Sequence, residues 1–122
     1  MNCTLLDSNF LLAPCQFKVD VIEQIKGLGF NPLILSCVAE ELQSLAKKRG
    51  KGAKAAKVAL ELIEKRGIRI VEAPGRADIA LPKYASQENC AVATNDRRLI
   101  EKLRKGNIRI IRLKQKKIVV VD

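Results

Sequence analysis

The sequence predicts an α/β fold, specifically a three-layer α/β/α sandwich with a mainly parallel central sheet. Of the 122 residues, 48% are hydrophobic but only 3% are aromatic, so aliphatic side chains must fill the core. Such a composition is typical of parallel strands that helices cover. Short apolar runs also alternate with segments of helical periodicity, which implies crossovers between parallel strands. At this length we expect one domain, residues 1–122.

The chain opens with a strand and a helix. Residues 3–6 are an apolar run that ends at Asp7. Apolar residues then recur at helical spacing over residues 19–28, before Gly29, and predict a helix there. We assign no element to residues 8–18.

A second strand, a helix and a basic amphipathic helix follow. The strand is predicted over residues 33–35, and Ser36 is the expected N-cap of a helix over residues 37–48. Glu41 falls on the apolar side of that helix. After a glycine-containing break, residues 53–66 carry apolar and charged side chains on opposite stripes, as an amphipathic helix does.

The second half of the chain continues the alternation. Strands are predicted over residues 68–71, 90–93, 108–113 and 117–121, and helices over residues 77–88 and 97–105. Pro82 interrupts the first of these helices, because proline donates no backbone hydrogen bond and clashes with the carbonyl four residues earlier. That helix is therefore either kinked at Pro82 or begins near Leu81.

The positive charge is unevenly distributed. The net charge is +10, and residues 47–69 and 97–117 hold most of the 23 Lys and Arg but, of the 13 Asp and Glu, only Glu61, Glu64 and Glu101. By default a run of charge is a solvated face, but this segregation favours contact with nucleic-acid phosphates.

The N-terminus has no basic leader, and no apolar run approaches the roughly 20 residues of a membrane span. We therefore expect a soluble, cytoplasmic protein that does not bind membranes.

The metal-ligating residues favour a hard cation over zinc. The chain has no histidine, and its four cysteines are far apart in sequence without a Cys-x-x-Cys pair, so we expect them to be buried free thiols. Carboxylates are then the main ligands left, and they suit Mg²⁺ or Mn²⁺.

Acidic residues recur where predicted strands end. Asp7 and Asp96 each follow a strand, and Asp78 follows another strand after a loop. In an open α/β sheet, ligands bind at the carboxyl ends of the strands where the strand order reverses, so these acids are expected to meet there. Glu41 joins them if its helix packs over the same edge. Such a cluster repels itself unless a divalent cation neutralises it.

Each of these acids also has a purely structural explanation. Asp78 and Asp96 could cap the helices that follow them, and Glu41 could form a surface salt bridge. For Asp7, which stands between Leu5–Leu6 and Phe10–Leu11, no cap role explains the residue equally well. We therefore expect its partner to be a metal ion.

Taken together, these motifs resemble those of PIN-domain ribonucleases. The matching segments lie in the order of the family and span most of the chain: Leu6–Asp7–Ser8–Asn9, Cys37–Val38–Ala39–Glu40–Glu41–Leu42, Ala77–Asp78 and Ala93–Thr94–Asn95–Asp96–Arg97. Of the adjacent acids we choose Glu41, since it directly precedes the aliphatic Leu42. The run Phe10–Leu11–Leu12–Ala13–Pro14 is more similar to the archaeal and eukaryotic ribosomal-RNA-processing branch than to typical toxins.

The resemblance implies a metal-dependent endoribonuclease that leaves a 5′-phosphate and a 3′-hydroxyl. Asp7, Glu41, Asp78 and Asp96 would hold Mg²⁺ or Mn²⁺, which activates water and neutralises the phosphate. The expected supporting hydrogen-bonding residues are Ser8, Asn9, Thr94 and Asn95. The expected RNA-binding residues are Lys47, Lys48, Arg49, Lys51, Lys54, Arg97 and Arg98. Beyond RNA, a homodimer, an antitoxin or a ribosome-assembly partner is left open.

The sequence departs from the family at Ile79, where many relatives carry a further acid, and at Pro82. Three alternatives to RNA processing are also open: a toxin of a toxin–antitoxin pair, an inactive RNA-binding assembly module, and an aspartyl phosphotransferase. The last of these needs an acid two residues after Asp7, where this chain has Asn9.

Overall fold

The computed structural model describes residues 2–122, which form six strands and six helices in alternation. The order is β1 (Asn2–Leu6), α1 (Ser8–Phe17), α2 (Val21–Gly27), β2 (Phe30–Leu35), α3 (Ser36–Ala46), α4 (Lys51–Lys65), β3 (Arg69–Val71), α5 (Ala77–Glu88), β4 (Ala91–Ala93), α6 (Arg97–Lys105), β5 (Ile110–Lys114) and β6 (Ile118–Val121). The strands form one sheet in the order β3-β2-β1-β4-β5-β6. All neighbouring pairs are parallel except β5 and β6. The predicted α/β class and mainly parallel sheet are confirmed.

The strand order reverses between β1 and β4. From β1 the chain adds β2 and β3 on one side, and then returns to place β4 and β5 on the other side. The loops that leave β1 and β4 therefore diverge, and a cleft opens at the carboxyl ends of these two strands.

An aliphatic core holds the sheet and helices together. Five aliphatic side chains of β1, β2 and β5 have no exposed surface: those of Leu5, Leu6, Ile34, Leu35 and Ile111. Among residues 2–122, the buried polar side chains are those of Thr4, Asp7 and Thr94. Asp7 lines the cleft and Thr94 donates a hydrogen bond to Asp7, which marks the cleft as a functional region. No helix within residues 2–122 is both long and apolar enough to cross a bilayer.

Helix α1 is the element that the sequence analysis missed. Asp7 is its N-cap, and the Phe10 backbone N–H donates to Asp7 Oδ1 at 2.7 Å. The expectation that no cap role explains Asp7 is therefore wrong. The Asp-Ser-Asn start before the buried run Phe10–Ala13 is an N-terminal helix signal, but Pro14 within the segment obscured it.

Two further local expectations are corrected. Ser36 is the first residue of α3 and not its N-cap; its hydroxyl accepts from the Ala73 N–H at 2.9 Å and so ties α3 to the loop after β3. Helix α5 begins at Ala77 and continues through Pro82, so a start near Leu81 is wrong.

Two of the cysteines are not free thiols. Cys3 and Cys90 form a disulfide, whereas Cys15 and Cys37 are free. Thr4 and Ala91 are paired in the parallel register of β1 and β4. Cys3 directly precedes Thr4, and Cys90 directly precedes Ala91. The disulfide therefore joins the two strands whose carboxyl ends border the cleft.

The edge strand β6 is partly covered by a side chain. The Gln24 amide, from α2, donates to the Lys117 carbonyl at 2.9 Å and accepts from the Val119 N–H at 2.8 Å. Gln24 thus pairs with the outer edge of β6 as a neighbouring strand would. This limits the unpaired backbone available for edge-to-edge association.

Candidate active site

Four acidic residues line one cleft at the carboxyl edge of the sheet. Asp7 directly follows β1, Asp96 follows β4, Glu41 lies on α3 and Asp78 lies in the first turn of α5. The cleft has a volume of about 950 Å³ and all four acids line it. The tertiary structure therefore brings together the four predicted acids from four separate elements.

Asp7 is the most buried of these acids, with 7% of its surface exposed. Its Oδ1 accepts from the Phe10 N–H, and its Oδ2 accepts from the Thr94 hydroxyl. Burial raises the pKa of Asp7 from its ordinary value of 3.8 to about 6, against these two hydrogen bonds, and the charges of Asp96 and Glu41 add to the increase. Burial and the neighbouring charges therefore destabilise the ionised form of Asp7 unless a cation is present.

Glu41 is exposed to the cleft and does not lie on the buried side of α3, so the expectation that it falls on the apolar side is wrong. The buried residues of α3 are Cys37, Val38, Ala39 and Leu42. Partial burial in the cleft raises the pKa of Glu41, and the Asp78 charge raises it further. Glu40 also lines the cleft, but of these two neighbours it is Glu41 whose charge raises the pKa of Asp7.

The other two acids are held by local partners. Asp96 caps α6, where its Oδ1 accepts from the Arg98 N–H at 2.9 Å. Asp78 is not a helix cap; its Oδ2 lies 3.2 Å from Arg76 Nη2 and 3.8 Å from Lys102 Nζ. The predicted cap role of Asp96 is therefore confirmed, and Asp96 also lines the cleft.

The predicted supporting residues divide into two groups. Ser8 and Asn9 line the cleft, and Thr94 donates to Asp7 while its oxygen accepts from the Asp96 N–H at 3.0 Å. Asn95 points away from the acids, since its side chain pairs with the Leu113 backbone on β5.

The donor chemistry of the cleft fits a hard divalent cation. Oxygen ligands predominate, and burial raises the pKa of the Cys37 thiol, which keeps it protonated and a poor ligand. Within residues 2–122, however, no three such side chains are gathered closely enough to coordinate an ion as they stand. Asp7 and Asp96 accept hydrogen bonds from protein groups, and Asp78 pairs with Arg76 and Lys102.

Basic side chains also line the cleft. Of the predicted RNA-binding residues, Lys48 and Arg98 line it, whereas Lys47, Arg49, Lys51, Lys54 and Arg97 are exposed outside its lining. Arg76 and Lys102 line it as well, and the sequence analysis missed both. Lys102 follows Arg98 by four residues, a spacing that places both on one face of a helix and could have revealed it.

Comparison with known proteins finds similarity to one family over most of the chain. A family model described as a PIN-like domain matches residues 4–116. Ribonuclease VapC9 of Archaeoglobus fulgidus is 34% identical over 124 residues, with coverage of 100% of this chain and 90% of the relative. Ribonuclease VapC4 of Methanocaldococcus jannaschii is 38% identical over 117 residues, with coverage of 91% and 89%.

Among solved structures, that of the PIN domain endonuclease Utp24 superposes with a TM-score of 0.79 at 26% identity, and covers 98% of this chain and 90% of its own. The family match spans most of the sequence, and both curated relatives exceed 30% identity over nearly their whole length. The chain therefore belongs to the PIN domain family.

Proposed function

We propose that this protein is a metal-dependent endoribonuclease that acts as one domain and hydrolyses phosphodiester bonds in RNA. One observation carries the proposal: Asp7, Glu41, Asp78 and Asp96 line a single cleft whose walls also carry basic side chains. Carboxylates bind divalent metal ions, and Lys and Arg side chains bind phosphates. The cleft therefore combines the two kinds of group that phosphodiester hydrolysis requires. The names of the relatives, two ribonucleases and an endonuclease, support the same chemistry.

The four acids are the proposed ligands of Mg²⁺ or Mn²⁺. When bound, the ion supplies an activated water at neutral pH and neutralises charge on the phosphate. Thr94 positions the Asp7 carboxylate through its hydroxyl, and the Asp96 backbone fixes that hydroxyl in turn. Such supporting hydrogen bonds orient ligands and tune their basicity.

Lys48 and Arg98 are the proposed RNA contacts within the cleft. Arg98 lies on α6 and Lys48 lies two residues after the end of α3, so they line the cleft from two parts of the fold. The exposed cations at the α3–α4 junction, Lys47, Arg49, Lys51 and Lys54, would extend this surface along the RNA backbone. Contacts of this kind position the RNA without reading its sequence.

Two biological roles are supported by different similarities. The curated relatives at 34% and 38% identity are ribonucleases named VapC, which supports a toxin that an antitoxin partner controls. The likeness to Utp24 supports a role in ribosomal RNA processing. Co-purification from the native host separates the roles, because an antitoxin would form a stoichiometric complex and a processing enzyme would associate with pre-ribosomal RNA.

The cleavage reaction itself is tested on purified protein with labelled RNA. We expect cleavage with Mn²⁺, none in EDTA, and only trace cleavage by Asp7→Asn or Asp96→Asn. Glu101→Gln is the matched control, since Glu101 lies on α6 but outside the cleft lining. Cleavage that continues at full rate in EDTA would overturn the metal-dependent mechanism, and binding without cleavage would favour the inactive RNA-binding module.

A further inference from the structure

Lys102 is one of the residues of α6 that line the cleft. Helix α6 buries Leu99, Ile100 and Leu103, which leaves Arg98 and Lys102 on its cleft side, one turn apart. The Lys102 side chain is 55% exposed, so its ammonium group is accessible to a ligand in the cleft. A phosphate that approaches the acids past α6 would pass both cations.

Lys102 is also paired with one of the acids. Its Nζ lies 3.8 Å from Asp78 Oδ2, the same oxygen that Arg76 contacts at 3.2 Å. Among residues 2–122, these are the ion pairs that the four cleft acids make. Arg76 is only two residues from Asp78, whereas Lys102 reaches Asp78 from a different helix, so the packing of α5 against α6 sets its position.

A carboxylate oxygen that two cations already hold is a poor ligand for a third. A divalent ion at Asp78 would repel the Lys102 ammonium group and would release it from its pair. The released ammonium group would remain within the cleft, where it would pair with a phosphate of bound RNA. Lys102 would therefore oppose cation binding when RNA is absent and favour RNA binding when the cation is present.

We propose that Lys102 is a phosphate-binding residue of the cleft that is paired with Asp78 until a divalent cation takes that carboxylate. This inference rests on the proposed function. It makes Lys102 a link between the two ligands: RNA that engages Lys102 frees Asp78 for the cation, and the cation frees Lys102 for RNA. By thermodynamic linkage, each ligand then raises the affinity for the other.

The alternative is that Lys102 forms only a surface ion pair on a solvated helix face. Lys102→Met and the control Lys105→Met separate the two explanations. Lys105 ends the same helix and carries the same charge, but it lies outside the cleft lining. Lys102→Arg serves as the conservative variant that should retain both effects.

The first measurement is Mn²⁺ binding by titration calorimetry without RNA. An exposed ion pair contributes little free energy, so we expect Lys102→Met to bind Mn²⁺ about 2- to 5-fold more tightly than wild type. Lys105→Met and Lys102→Arg should match wild type. Unchanged or weaker Mn²⁺ binding by Lys102→Met would overturn the inference.

The second measurement is the affinity for labelled single-stranded RNA by fluorescence anisotropy in Ca²⁺ and in EDTA. We expect Lys102→Met to weaken binding in Ca²⁺ by about 2- to 5-fold, the scale of one exposed charge contact, and to have less effect in EDTA. If Lys102→Met and Lys105→Met weaken binding equally, the inference fails while the proposed function stands. If wild type binds no Mn²⁺ at all, the metal-dependent function fails and the inference fails with it.

Discussion

The Thr94 hydroxyl, directly after β4, donates a hydrogen bond to the Asp7 carboxylate, directly after β1. The two residues are 87 positions apart in the chain and meet because β1 and β4 are neighbours in the sheet. The same pair of strands is joined at its other end by the Cys3–Cys90 disulfide. The position of the central acid is therefore fixed by the strand pair that borders the cleft.

Neutralising Asp7 should stabilise the protein when no metal is present. In EDTA at neutral pH, we expect Asp7→Asn to be more stable than wild type by about 0.5–2 kcal/mol, because the substitution removes a buried charge that repels Asp96 and Glu41. Asparagine retains an oxygen that can accept from Phe10. Excess Mn²⁺ should stabilise wild type but have little effect on the variant.

Thermal melts of both proteins in EDTA and in Mn²⁺ test this prediction. Glu101→Gln again serves as a control for the loss of one exposed acid. If Asp7→Asn melts below wild type in EDTA and wild type shows no shift with Mn²⁺, Asp7 acts only as a structural hydrogen-bond acceptor.

Stability in the absence of metal should depend on pH through Asp7. Its pKa is raised from 3.8 to about 6, so between these values the folded protein holds a proton that the unfolded chain has lost. Since the folded state binds more protons, the free energy of unfolding falls as pH rises through this window, by up to about 3 kcal/mol for two pKa units. The stabilisation is complete below pH 3.8 and is lost above about pH 6.

Chemical denaturation in EDTA at several pH values, for wild type and Asp7→Asn, isolates this contribution. Other titrating groups largely cancel in the difference between the two proteins, including Asp20, whose pKa the Arg66 pair lowers. We expect wild type to lose stability relative to the variant between pH 4 and pH 7. A difference that does not change with pH would contradict the buried, proton-binding Asp7.

Reducing the Cys3–Cys90 disulfide should destabilise the fold. The bond closes a loop with a sequence separation of 87, and disulfides typically contribute about 2–4 kcal/mol by restricting the unfolded chain. We expect dithiothreitol to lower the melting temperature of wild type but not of Cys3→Ala/Cys90→Ala. Alkylation of the unfolded, unreduced protein should label only Cys15 and Cys37, and labelling of all four cysteines would refute the bond.

Glu41 should matter more for catalysis than its neighbour Glu40. Both line the cleft, but the Glu41 charge raises the pKa of Asp7, and partial burial and the Asp78 charge raise the pKa of Glu41 itself. We expect Glu41→Gln to lower the rate of RNA cleavage by about 10- to 100-fold, as for the loss of a residue that supports a metal site. Glu40→Gln should stay within about twofold of wild type, as for a surface substitution. Equal losses in single-turnover assays would contradict the choice of Glu41.

The sequence by itself determined the strands, most of the helices and the four acids. Apolar runs such as residues 3–6 and helical spacing such as that of α6 are local signals, because each depends only on neighbouring residues. The acids were predictable for a related reason: parallel strands share a carboxyl edge, so residues such as Asp7 and Asp96 that follow them must lie near one another. Helix α1 was missed although its signal is local, since Pro14 masked the pattern.

Only the tertiary structure decided which partner each side chain has. The Asp7–Thr94 hydrogen bond, the Cys3–Cys90 disulfide and the Lys102–Asp78 pair each join residues that are distant in sequence. Such contacts depend on strand order and helix packing. No short segment encodes these, because they are determined by the free energy of the whole core. The sequence could thus name the acids of the cleft, whereas the fold determined which protein groups Asp7 and Asp78 contact.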